Sequence, residues 1–254
     1  MSKRSKRIVL KFGSGILASD QGIGLSRRQI ARLAREVGAL VRAGHECVIV
    51  SSGAVAAGLA TLDLSAKPKE LAAKQACAAV GQSQLMHAYA SEFAKQDIAV
   101  AQLLLTHNDL DSRVRHHNAR ATLAHLLARG NVVPIINEND SVAVEELNFG
   151  DNDRLSAEVS ILIDADLLII LTSVDGLQDG KGKVVPLVRD FSEVASLVRS
   201  DKGHTSTGGM VTKLQAAQLA VKAGIPVNIA SGRKAGLVYA IVAGRRVGTY
   251  FPAK

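Results

Sequence analysis

The chain has 254 residues, 47% of them hydrophobic but only 3% aromatic, with no Trp and a formal net charge of +8. So apolar a chain is not a disordered one, and with few aromatic residues its core falls to Val, Ile, Leu and Ala, as in parallel sheets covered by helices on both faces. The positive charge suits anionic ligands, but the three Tyr and five Phe lack the basic and aromatic interleaving on which single-stranded nucleic acids stack, which disfavours nucleic acid as the principal partner.

Lys3, Arg4, Lys6 and Arg7 open the chain, and the apolar run behind them, Ile8 to Leu10, ends at Lys11. That run is too short for an export signal, and no apolar stretch of about 18 residues follows, so a cytoplasmic chain without a membrane span is expected. Ile8 to Leu10 reads instead as a first buried strand, and Cys47 to Val50 as the second. Between them Ser26 and Gln29 form a capping-box pattern, Ile30, Leu33, Val37, Leu40 and Val41 make an apolar stripe, and Gly44 supplies the stop: a βαβ unit. Further strands are predicted at Val100 to Leu105, Val132 to Ile136, Leu167 to Leu171 and Pro226 to Ala230. Helices are predicted over 69–96, 109–128 (stopped by Gly130), 153–164 and 208–223 (stopped by Gly224). The alternation gives a mostly parallel sheet with helices on both sides, in one domain over 1–254. The turn-rich Asp179 to Lys183 reads as a hairpin tip or flap. Cys47 and Cys77, too few for a disulfide framework and without His at metal-ligand spacing, read as buried reduced thiols.

In such sheets ligands sit beyond the carboxyl ends of the strands. The first strand exits into Lys11-Phe12-Gly13-Ser14-Gly15, which reads equally as a phosphate cradle or a tight turn; it lacks the third glycine of a dinucleotide fingerprint, and the chain has no Walker A sequence. Ser51-Ser52-Gly53 after the second strand offers hydroxyls and amides to a carboxylate, or simply caps a helix. Asn137-Glu138-Asn139-Asp140 and Gly150-Asp151-Asn152-Asp153 are ordinary turn residues taken singly. Together they suit an ammonium group, a Mg-bound phosphate or organised lysines. Thr172-Ser173 at the fifth strand's exit reads as a nucleotide contact or a capped turn. Ser206-Thr207-Gly208-Gly209-Met210-Val211-Thr212-Lys213 is the most informative stretch: glycines and hydroxyls lead into a helix with a Lys in its first turns, which favours phosphate binding over mere capping.

These blocks, together with Val9-Leu10, Ala54-Val55-Ala56-Ala57-Gly58, Ala78-Ala79-Val80-Gly81-Gln82-Ser83, Phe149 and Leu214-Gln215-Ala216-Ala217, occur in an order that resembles the amino-acid kinases over nearly the whole chain. Within them the resemblance is to enzymes that phosphorylate the side-chain carboxylate of glutamate at the start of proline synthesis. It implies a three-layer αβα sandwich with a mostly parallel central sheet, ATP and L-glutamate as small-molecule substrates, Mg²⁺, and a homo-oligomer, dimer or tetramer. It assigns Lys11 and Lys213 to the ATP phosphates, with Asp153 orienting both. Gly13, Ser14, Thr172, Ser173 and the loop Thr207, Gly208, Gly209, Met210, Val211, Thr212 and Lys213 take the nucleotide. Ser52, Asp140 and Asn152 take glutamate, with Gly53, Asn137 and Asp151 beside them.

The family usually has Asp where Ser173 stands and Gly where Ser206 stands, so those two nucleotide contacts depart from its pattern. Many bacterial members also carry a C-terminal PUA domain resembling an RNA-binding module; this sequence ends at Lys254 and is expected to be a short form without it. The alternatives are another kinase of the same fold acting on carbamate, aspartate, acetylglutamate or a nucleoside monophosphate, and a basic RNA-binding protein.

Overall fold

The computed structural model describes residues 5–19, 21–142, 151–194 and 209–253. Its strands are β1 (Arg7–Phe12), β2 (Glu46–Ser51), β3 (Ala99–Leu105), β4 (Val132–Glu138), β5 (Leu167–Thr172), β6 (Val227–Ser231) and β7 (Thr249–Phe251). They form one sheet in the order β3-β4-β2-β1-β5-β6-β7, parallel throughout except for β7, which runs antiparallel to β6. The helices are α1 (Ser14–Leu17), α2 (Arg27–Arg42), α3 (Ala54–Thr61), α4 (Leu71–Ala94), α5 (His107–Asp111), α6 (Arg113–Leu127), α7 (Asp151–Leu162), α8 (Met210–Lys222) and α9 (Leu237–Val242). None is long and apolar enough to cross a membrane, among the described residues.

All six predicted strands form. The edge strand β7 and the short α1 and α9 were not predicted. The helix expected over 109–128 is two: Thr106 and Asp109 make a reciprocal capping box that starts α5 at His107, and extended backbone at Ser112 (ψ 116°) breaks it before α6. The capping box expected for α2 is half made, since Ser26 accepts from the Gln29 N–H but the Gln29 amide donates to Gly232 O at 2.9 Å instead. Asp179 to Lys183 is a hairpin tip: Gln178 and Val184 bridge, and Asp179 Oδ1 accepts from the N–H groups of Lys181 and Lys183. Cys47 and Cys77 are free and buried, and burial pushes the Cys47 thiol up to about 12.

Strand side chains alternate between faces, so each strand feeds two cores. On one face Ile8, Leu10, Phe12, Cys47, Ile49, Ile135 and Ile169 pack against α1, α2, α4 and α9. On the other Val9, Val48, Val50, Ile136, Leu168 and Ile170 pack against α6, α7 and α8. Lys11 follows Leu10 in this alternation and takes the second face. It sits between Val50 of β2 and Ile170 of β5 in the middle of the sheet, where a lone lysine needs a partner. Ser51 and Asn137 alternate onto the first face, toward α4. From β1 the chain passes to the adjacent β2, on to the edge strand β3, back to β4 between β3 and β2, and then across to β5 on β1's other side, so the reversal of strand order lies at the exit of β1.

Candidate active site

The exits of β1 and β5 meet first. The Gly13 N–H donates to Leu171 O at 3.3 Å, and a Cβ at Gly15 would lie 3.8 Å from the Ser173 side chain. Gly13 caps α1, and a Cβ there would come 3.6 Å from Lys11 Nζ, so the glycine leaves the ammonium uncovered on that side. Ser14 is exposed, Thr172 is buried and Ser173 half-buried.

Asp153, in the first turn of α7, is wholly buried under this point. Its Oδ1 pairs with Lys11 Nζ, and its Oδ2 pairs with Lys213 Nζ at 3.2 Å. Thr212 Oγ1 lies 2.7 Å from the same Oδ2 and 2.9 Å from Gly209 O, so its one proton serves either acceptor. Lys11 and Lys213 are 5% and 6% exposed, so two cations share one anion in a low-dielectric site. Burial alone would raise the Asp153 carboxyl, but the charges of Lys11 and Lys213 and hydrogen bonds from Lys11 and Thr212 hold it below the usual carboxylate range. Burial lowers the Lys11 pKa, opposed by Asp153 and reinforced by Lys213. The cluster carries a net positive charge beside α8, whose N-terminus begins at the Gly209 cap. That is the arrangement an oligophosphate requires.

A second, uncharged cluster lies beside it. Asn152 donates to Asn137 Oδ1 at 2.9 Å, Ser52 Oγ at 3.1 Å and Ser51 O at 3.3 Å. Asn137 in turn donates to Gln82 Oε1 at 2.9 Å, and the Ser51 and Tyr89 hydroxyls are 2.9 Å apart. Neither Ser51 nor Ser52 caps α3. Gly53 occupies that position at φ 110°, a left-handed turn that a side chain would strain. Asp140 is half-buried just past β4, and its charge opposes the lowering that burial and Lys74 impose on the Lys67 pKa. The consecutive residues Asn152 and Asp153 thus join the two clusters, one reaching the amide and hydroxyl groups, the other the lysines.

The structure therefore brings Lys11, Asp153, Thr212 and Lys213 together, and separately Ser52, Asn137 and Asn152. Gly209 and Met210 border the first group, and Val211 is 47% exposed. Asp151 opens α7, while Thr207 and Gly208 lie outside the described residues. Gln82 and Tyr89 were not singled out by residue chemistry. The available signal was a polar Gln beside Gly81 in a run of small residues. A Cβ at Gly81 would overlap the Ala54 carbonyl, and one at Gly58 the Cys77 carbonyl, so α3 and α4 touch backbone to backbone and bring Gln82 up to the strand ends. Among the described residues no three His, Cys, Asp or Glu side chains form a metal cage.

A family model described as the amino acid kinase family matches residues 6–231. The chain is 48% identical to the glutamate 5-kinase of Geobacter metallireducens over 99% of its own length and 69% of that enzyme's. It is 44% identical to the glutamate 5-kinase of Thermus thermophilus, over 98% and 68%. Among solved structures it resembles a UMP kinase from Bacillus anthracis (TM-score 0.64, 16% identity, 99% of this chain and 98% of that one). It also resembles an N-acetylglutamate synthase from Neisseria gonorrhoeae (TM-score 0.71, 15% identity, 99% and 60%). At such identities these two likenesses concern the fold alone.

Proposed function

The chain belongs to the amino acid kinase family and, within it, to the glutamate 5-kinases, and from that premise we infer how it phosphorylates the side-chain carboxylate of L-glutamate with ATP, giving L-glutamyl 5-phosphate for proline synthesis. The observation that carries the reading is the buried Lys11, Asp153 and Lys213 cluster at the rim of the sheet. Glutamate's side-chain carboxylate, with a pKa of about 4.3, is already ionised at neutral pH, so attack on the γ-phosphorus needs no general base. The work left to the protein is positioning and neutralisation of charge.

In this reading Lys11 and Lys213 bind the transferring phosphoryl oxygens from two sides, and Asp153 holds both ammonium groups in place before the nucleotide arrives. Gly13, Ser14, Thr172, Ser173 and the segment Thr207 to Thr212 line the nucleotide. Ser52, Gly53, Asn137, Asp140, Asp151 and Asn152 take glutamate. Because Asn152 and Asp153 are consecutive, the acceptor lies directly beside the phosphoryl group, as an in-line transfer requires. Mg²⁺ fits as an ion carried by the nucleotide: both Asp153 oxygens are engaged by cations, and Mg²⁺ bound through phosphates and waters needs no protein cage. Its chemistry would be neutralisation of the β- and γ-phosphate charge.

The seven-stranded sheet supports one catalytic unit across 1–254, and the chain's likeness to biosynthetic glutamate 5-kinases supports work in the cytoplasm. The half-exposed edge strand β3 supports assembly into a dimer or tetramer. The decisive experiment incubates the protein with Mg-ATP, glutamate and hydroxylamine, which traps an acyl phosphate as the hydroxamate. A glutamate-dependent hydroxamate is expected; ADP release with another acceptor but not glutamate would transfer the reading to a different kinase of this fold.

A further inference from the structure

The polarity of the amide chain at the strand ends is fixed by the backbone. The Glu138 N–H donates to Asn137 Oδ1 at 2.9 Å, so the Asn137 oxygen faces its own backbone and its Nδ2 is left to donate to Gln82 Oε1. Gln82 must therefore present its oxygen to Asn137, which leaves Nε2 without a partner. Likewise Asn152 Nδ2 is drawn to Asn137 Oδ1 and to Ser51 O, both acceptors only, which leaves Asn152 Oδ1 without one. Both atoms are shut off from solvent and unpaired among the described residues, and Gln82 is 8% exposed. Buried polar groups in native proteins are paired, so two orphans at opposite ends of one hydrogen-bonded chain require an explanation. One is a pure donor, the other a pure acceptor, and the chain between them also holds Ser52.

An α-amino acid carries the complementary pair, a carboxylate that accepts and an ammonium that donates. Resting on the glutamate reading of this site, we propose that Gln82 is a specificity residue that donates from Nε2 to the α-carboxylate of the substrate, while Asn152 Oδ1 accepts from its α-ammonium group. The free enzyme keeps a donor and an acceptor unpaired in a buried place, and only a zwitterion of the right length satisfies both. A dicarboxylate or an amine lacking one of the two groups leaves one orphan unpaired, which is how buried polar groups discriminate most sharply. Among the described residues Gln82, on α4, bonds to Asn137 of the amide cluster and not to either lysine, so the effect belongs to substrate recognition and not to phosphoryl transfer.

Glutarate retains the α-side carboxylate and lacks the amine, whereas 4-aminobutyrate lacks that carboxylate. Binding of each to the intact chain, measured by isothermal titration calorimetry, isolates the Gln82 contact independently of turnover. Gln82→Met is expected to weaken glutarate by about tenfold or more and to leave 4-aminobutyrate within about twofold. Should that variant fail to fold, Gln82→Glu at pH 8.5 keeps an acceptor for Asn137 and replaces the donor by a negative charge, so glutarate should weaken by about tenfold or more while 4-aminobutyrate is not weakened. Equal weakening of both ligands, which a merely structural role predicts, or no change in either, overturns the proposal. Hydroxamate formation by the unmodified enzyme tests the glutamate reading separately.

Discussion

Lys213 Nζ lies 3.2 Å from Asp153 Oδ2, although 60 residues separate them in the chain. The other oxygen of the same carboxylate holds Lys11. One buried anion thus sets the spacing of two cations, and the first expectations concern what happens when a member is removed.

Asp153→Asn removes the carboxylate charge that both buried ammonium groups share. Breaking a buried ion pair from one side costs about 3–5 kcal/mol, so the urea midpoint should fall substantially in the absence of nucleotide and recover in part with ATP, whose phosphates replace the missing anion. An unchanged midpoint would show that the lysines are not held by Asp153.

Lys213→Ala removes a cation that acts on the transferring group. The expected loss is about a hundredfold or more in kcat, with the KM for glutamate little altered, because the amide cluster around Asn152 is untouched. Wild-type kcat in this variant would take Lys213 out of the mechanism.

Asp140→Ala removes the half-buried charge assigned to the α-ammonium group of glutamate. KM for glutamate should rise about tenfold or more while KM for ATP stays near its original value. Parallel increases for both substrates would refute the assignment.

Gly81→Ala puts a methyl group where the Ala54 carbonyl lies, and the two helix backbones must separate. Overpacking of this kind costs about 1–3 kcal/mol, lowering Tm by several degrees, as calorimetry would record. Since α4 also carries Gln82, glutamate binding should weaken more than ATP binding.

His107 Nδ1 and Glu158 Oε2, 2.7 Å apart, tie α5 to α7. Their hydrogen bond raises the His107 pKa against burial; burial would raise Glu158, but His107 and Arg154 bring it below its ordinary value. The histidine's contribution to stability is complete below its unfolded pKa of about 6.5 and disappears as pH climbs through the higher folded value. The glutamate's is present above its unfolded pKa and is lost as pH falls through the lower folded one. The stability difference between the natural chain and His107→Gln should therefore be greatest near pH 6 and shrink by pH 9, read from urea titrations. A difference that grows with pH would contradict this pairing.

Much of the fold was legible locally. The runs at Ile8, Cys47, Val100, Val132, Leu167 and Pro226 are strands because apolar, β-branched residues fill a sheet buried on both faces. Gly44, Gly130 and Gly224 follow helix ends with positive φ, the conformation glycine tolerates best. The strand β7 was missed because three residues, Thr249 to Phe251, carry too little periodicity to read, and their pairing with β6 is a tertiary matter. The break at Ser112 was missed because Ser before Arg looks no different from a helix interior until Thr106 and Asp109 close their box.

For the candidate site, the chain's order of residues determined which groups lie at strand exits and which face Lys11 takes, because alternation along a strand is a local rule. The resemblance implied that Asp153 serves both lysines, but only the tertiary structure decided which of its oxygens each takes, and that Asn137 turns its amide toward Gln82 and leaves one donor unused. Ion pairing and hydrogen-bond polarity depend on which crossovers bring distant helices over the same strand ends, and on which backbone groups are already taken there. Neither quantity is encoded in the periodicity of any single segment.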